Sequence, residues 1–145
     1  MIGSDKISPI EKSKFTKHGY DSVLKGYKIS DDVTVEQLEK CIKSVMCSLV
    51  PMSVDKIEDK LAMLSTLVVK PMGESSDDHV VRIKFLALQL VDYPADIVMY
   101  SIDKVAQTVK FWPSYSEFYQ TIDGMNDKRL KLLDSLNKKL FDLTA

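Results

Sequence analysis

The strongest rhythm of apolar and polar positions begins at residue 34. Leu38, Cys41, Ile42, Val45 and Leu49 recur at i, i+3, i+4, i+7 and i+11, which predicts an amphipathic helix. Thr34 followed by Gln37 is a capping-box pair at its start, and Pro51 ends it by forcing the preceding residue out of the helical region. A second helix is predicted after Ser53, with Asp55 in its first turn and a stripe of Ile57, Leu61, Leu64 and Leu67 or Val68. Lys70 to Ser76, reading KPMGESS, stops it. Asp77 or Asp78 then caps a third helix, in which Val81, Phe85, Leu86, Leu88, Leu90 and Val91 run almost all the way round. Such a helix is expected to be central and buried on most sides.

Pro94 suits the first position of a fourth helix, running to about Val109, because its missing N–H costs nothing there. Ile97, Val98, Ile102, Val105, Ala106 and Val109 form the apolar face. Ser114 and Glu117 make a second capping box for a fifth helix after Pro113. A pause is expected at Gly124, beyond which Met125, Arg129, Leu132, Leu133, Leu136 and Leu140 continue the stripe.

The first thirty residues show no sustained period. Tyr20, Val23, Leu24 and Tyr27 are spaced like one short helical face, and the rest reads as a basic, loosely ordered N-terminal segment. No stretch alternates with the period of two that marks a strand, and no internal repeat occurs. The expected fold class is therefore all-α: a single compact bundle of five to six mostly antiparallel helices spanning residues 31–145, preceded by the loose segment 1–30.

Composition narrows the class further. The 145 residues are 28% charged and 45% hydrophobic, with five Gly and five Pro, as in an ordinary globular domain. No apolar run approaches the roughly 20 residues of a membrane span, and residues 1–14 lack the apolar stretch of a signal peptide, so the expected location is cytoplasmic. The net charge is −1, unevenly spread. Residues 1–30 hold six Lys against three acids and residues 124–145 five bases against three, which leaves nine bases against fifteen acids between them. Such a chain lacks the strongly basic face of a nucleic-acid-binding module, and weak contacts from its termini are the most it suggests. Cys41 and Cys47, six apart on one helix, lie out of disulfide reach and read as free thiols.

Candidate chemistry is sparse. Asp31-Asp32 and Asp77-Asp78 stand at predicted helix starts, where capping and the helix dipole account for them. His18 and His79 are the only histidines. His79 beside Asp78 has no second His or Cys at ligand spacing, so it reads as a solvated side chain and not as a metal ligand. Phosphate-loop, dinucleotide, zinc-protease and serine-hydrolase motifs are all missing, and Gly73-Glu74-Ser75 reads as loop. The expectation is a protein without catalytic residues, cofactor or metal.

One cluster stands out, KFWPSYSEF at residues 110–118. Phe111 and Phe118 are suited to filling the corner between two helices, since each removes about 150–250 Å² from water. Trp112 precedes Pro113 and is therefore extended, so it and Phe111 point opposite ways. An outward Trp112, with Tyr115 and Tyr119 one helical turn apart, forms an aromatic patch of the kind that anchors protein interfaces. The expected partner-binding set is Trp112, Tyr115 and Tyr119, with Lys110 at the rim.

Residues 92–122, DYPADIVMYSIDKVAQTVKFWPSYSEFYQTI, resemble small bacteriophage and prophage proteins that load and restrain a replicative DNA helicase. The resemblance rests on Tyr93, Pro94, Lys110, Phe111, Pro113, Ser114 and Glu117. It implies a helical adaptor that contacts a hexameric helicase without hydrolysing nucleotide itself. The family's helicase-contacting segment is a flexible C-terminus, whereas residues 126–142 here read as a well-formed helix. Two other classes are consistent with the residues: a small DNA-binding module using the Lys-bearing termini, and a self-associating protein pairing through Leu132 to Leu140.

Overall fold

A computed structural model describes residues 2–16 and 19–145, with the side chains of residues 14–21 excepted. His18, one of the two histidines weighed above, lies outside the described residues, as does the side chain of Tyr20. A 3₁₀ turn at Ser4–Lys6 leads into strand β1 (Ile7–Thr16) and strand β2 (Gly19–Ile29). Helices α1 (Val35–Ser48), α2 (Val54–Leu64), α3 (Ser76–Leu90), α4 (Ala95–Thr108) and α5 (Tyr115–Thr144) follow.

The chain is thus not all-α: the described residues of the N-terminal segment, expected to be loose, include two paired strands. β1 and β2 form an antiparallel hairpin in register from Ile7 opposite Ile29 to Thr16 opposite Gly19. Ile10 faces Gly26 but Glu11 faces Leu24, so Lys25 is the extra residue of a β-bulge. The bulge breaks the alternation of β2, and Val23, Leu24 and Tyr27 consequently mimic a helical spacing. Ser8 to Ser13 of β1 are all exposed, so that stretch lacks the in-and-out alternation of a half-buried sheet.

The packing divides the chain into two compact units, one of residues 1–47 with 127–145 and one of residues 48–126. The first is built from both ends of the chain. Its core is Ile29, Val33, Leu38, Ile42 and Leu136, with Ile7, Val45, Leu132 and Leu140 packed on it. The outer edge of β2 is occupied by α5: Ser135 Oγ accepts from Tyr27 N at 2.9 Å and Lys131 Nζ donates to the Leu24 carbonyl at 2.6 Å. These bonds satisfy backbone groups that an open sheet edge would leave free. Gly26 permits the approach, since a Cβ there would lie 3.2 Å from Ser135 Oγ. The Thr34–Gln37 box is formed in both directions, at 3.0 and 3.2 Å.

The second unit packs α2, α3, α4 and the first turns of α5 around Ile57, Leu61, Leu86, Leu90, Ile97, Val98, Phe118 and Ile122. Ser53 Oγ caps α2 by accepting from Lys56 N. The cap of α3 is Ser75, whose Oγ accepts from Asp78 N at 3.1 Å, and not Asp77 or Asp78. Nor is α3 buried on most sides. His79, Ile83, Leu86, Ala87 and Leu90 face the core, while Val81, Phe85 and Leu88 are 52%, 67% and 60% exposed. Beyond α4, Val69 N donates to the Lys110 carbonyl and Trp112 N to the Val69 carbonyl, both at 2.8 Å. This backbone bridge ties the loop after α2 to the corner before α5. α5 runs through Gly124 without a pause and supplies residues to both units.

Candidate functional site

The corner at 110–114 is shaped by Pro113, which is buried and holds Trp112 extended. Of the two adjacent aromatics, it is Phe111 that faces solvent, at 64% exposure, with Lys110 Nζ 5.9 Å above its ring. Trp112 turns inward, half-buried against the core of the second unit. The roles expected for the pair are therefore exchanged, because the bridge from Val69 to both neighbours of Phe111 fixes which way the strand-like corner alternates. Phe118 is packed into the corner with no exposure.

Trp112 rests on His79, with ring centroids 4.7 Å apart and planes at 76°, an edge-to-face geometry favoured by aromatic quadrupoles. His79 is 4% exposed and not solvated. Its Nδ1 lies 2.9 Å from Glu74 Oε1. A carboxylate only accepts, so Nδ1 carries the proton and donates. Nε2 is buried without a hydrogen-bond partner among the described residues. Glu74 Oε2 accepts from Arg82 twice, from Nε at 2.8 Å and from a terminal nitrogen at 2.5 Å. The Glu74 side chain is itself only 7% exposed. The Arg82 bonds hold its carboxyl below the usual carboxylate range, burial opposes them, and the His79 bond adds to the lowering. Arg82 is correspondingly held above its ordinary value by the same pair. The loop residue Glu74 thus clasps two positions of α3 one turn apart, and His79 carries that clasp to Trp112.

A groove of about 470 Å³ opens beside this network. Val81, Phe85 and Leu86 of α3 form one side, and Trp112, Pro113 and Tyr115 the other. Asp78, Arg82, Gln89 and Ser114 supply polar groups. His79 is not among the lining residues. Ser114 N donates to Glu117 Oε2 at 2.7 Å, and Ser114 Oγ pairs with Ser116 Oγ, so one half of the second capping box is formed.

The four residues singled out in the sequence are placed as follows. Trp112 and Tyr115 line the groove. The Tyr115 hydroxyl is 3.1 Å from that of Tyr93, and burial followed by this hydrogen bond pushes its pKa up to about 12. The Tyr119 ring lies 5.7 Å from that of Tyr115, tilted by 39°, but is outside the groove, its hydroxyl donating to Asp123 Oδ1 at 3.1 Å. Lys110 is exposed beside Phe111 and does not line it. Sequence reasoning missed Phe85, Val81 and the Glu74–His79–Arg82 clasp. An acid directly before a Ser N-cap, with His and Arg in the next two turns, was the available signal for the clasp.

No group of three or more His, Cys, Asp or Glu among the described residues could hold a metal ion, and no described helix is long and apolar enough to cross a membrane. Comparison of the chain with protein families, with curated proteins and with solved structures gave no match.

Proposed function

We propose that this chain is a non-enzymatic protein–protein adaptor whose contact face is the groove beside Trp112 together with the outward stripe of α3. The observation that carries the reading is the exposure of Val81, Phe85 and Leu88 at i, i+4 and i+7. Three large apolar side chains on one helical face, continuous with an aromatic-walled groove, resemble the surfaces by which proteins dock on proteins. The clasp supports it from behind, because a wall held in place by Glu74, His79 and Arg82 loses little freedom on binding.

The partner class to test first is the one implied by the helicase-loader resemblance of residues 92–122. Purified chain is immobilised and offered a replicative DNA helicase with and without ATP, beside the Phe85→Asp variant. Retention of helicase by the parent chain and its loss in the variant is the expected result. Equal retention by both, or none by either, sinks the reading as applied to that partner class and this face.

A further inference from the structure

We infer that the groove accepts an amphipathic helix from a partner protein, one that carries Lys or Arg at both ends of its apolar stripe. This rests on the docking reading above and adds the chemistry of the occupant.

The outward face of α3 has a definite charge order. At about 100° per residue, Asp78, Val81, Phe85, Leu88, Gln89 and Asp92 fall within an arc of roughly 100°, and every one of them is exposed. Val91 keeps a helical backbone, at φ −66° and ψ −24°, so Asp92 continues that face. The two carboxylates stand about 21 Å apart at 1.5 Å per residue, which matches the apolar stripe of a helix of about four turns. Between them lie the apolar side chains and Arg82, whose charge is already taken up by Glu74. Lys84 flanks the stripe near its middle.

Both ends of the stripe are thus negative. At the C-terminal end the effect is reinforced, because the last turn of α3 holds no basic residue and the helix dipole places partial negative charge there. At the N-terminal end Asp77 and Asp78 stand together, and the dipole offsets part of their charge. The surroundings agree: residues 48–126 carry seven bases against eleven acids.

That order selects among occupants. A second copy of α3 laid antiparallel would set Asp78 against Asp92, and a parallel copy would set each carboxylate beside its equal, so self-association through this face is opposed in either direction. A nucleic-acid backbone would be repelled by the same carboxylates. A helix whose apolar residues meet Val81, Phe85 and Leu88 while its basic ends reach Asp78 and Asp92 satisfies both the stripe and its charges. An apolar anchor from it would enter the groove against Trp112.

The test uses the full chain and three tryptophan-free peptides of about 18 residues, long enough for appreciable helix. One has a leucine stripe at i, i+3, i+4 and i+7 with paired lysines at each end, one has the same stripe with paired glutamates, and one scrambles the lysine peptide. Trp112 emission reads binding. The lysine-ended peptide is expected to shift emission to the blue, and to lose about tenfold in affinity between roughly 0.05 M and 0.5 M salt. Asp92→Asn and Asp78→Asn should each weaken it several-fold, with circular dichroism confirming that they fold as the parent does. Equal binding of the glutamate-ended or scrambled peptide overturns the inference. If no peptide binds but helicase retention still depends on Phe85, the docking face stands and the basic-ended helix falls. If Phe85→Asp changes neither peptide binding nor retention, both fall.

Discussion

Trp112 stands edge-on to His79 at a centroid distance of 4.7 Å, and His79 in turn is held by Glu74, so the only tryptophan of the chain reports on a loop thirty-eight positions away. His79→Ala removes the ring on which Trp112 rests and one of the bonds to Glu74. The expected cost is about 2 kcal/mol, from one aromatic pair and one hydrogen bond. Urea unfolding should show the lowered midpoint, and the folded variant should emit further to the red than the parent.

The clasp also predicts an acid limb. The Glu74 carboxyl is held below its ordinary value of 4.5 by Arg82 and His79, so folding favours its charged form. The resulting stability is fully present above that ordinary value and is lost as pH falls through the lowered one. Urea midpoints followed by Trp112 emission should therefore decline below about pH 4.5. Glu74→Gln should lower the neutral-pH midpoint and flatten that decline. An unchanged acid limb in the variant would mean that other carboxylates carry it.

Two phenylalanines thirty-three positions apart should behave oppositely. Phe118 has no exposure and Phe85 is 67% exposed. Phe118→Ala should cost about 3–5 kcal/mol through the cavity it leaves, while Phe85→Asp should change stability by no more than about 0.5 kcal/mol. Denaturant titrations of both variants decide this, and a large loss for Phe85→Asp would show that its ring is part of the fold and not of a contact face.

Gly124 sits inside α5, and a Cβ built there meets nothing within 4 Å. Gly124→Ala is accordingly expected to stabilise the chain by about 1 kcal/mol through helix propensity and reduced freedom of the unfolded chain. A raised urea midpoint with unchanged slope is the expected result.

All five helices were legible because each combines a local stripe with a local stop or cap. The Thr34–Gln37 box and the Ser53 cap are formed as their spacing requires. The hairpin was not legible. Its bulge at Lys25 disrupts the period of β2, and the described side chains from Ser8 to Ser13 of β1 are all exposed. At α3 the apolar residues are where the pattern put them, yet periodicity cannot say which side of an almost continuous apolar ring meets water. His79 illustrates the same limit. Its burial is set by Glu74 in a loop and by Trp112 beyond the next helix, partners that no window along the chain contains. Residue type alone singles out Trp112 and Tyr115, which line the groove, whereas the pattern of α3 predicts burial for Val81 and Phe85 opposite them.

The first unit is a discontinuous one, and this orders events during synthesis. Leu136 has no exposure and packs with Ile29, Val33, Leu38 and Ile42, so the β-ribbon and α1 leave the ribosome long before the side chain that seals them. Residues 48–126 have every member of their own core in hand by then. During translation the inserted unit is free to mature first, and the β-ribbon and α1 must wait until the segment around Leu136 has followed it.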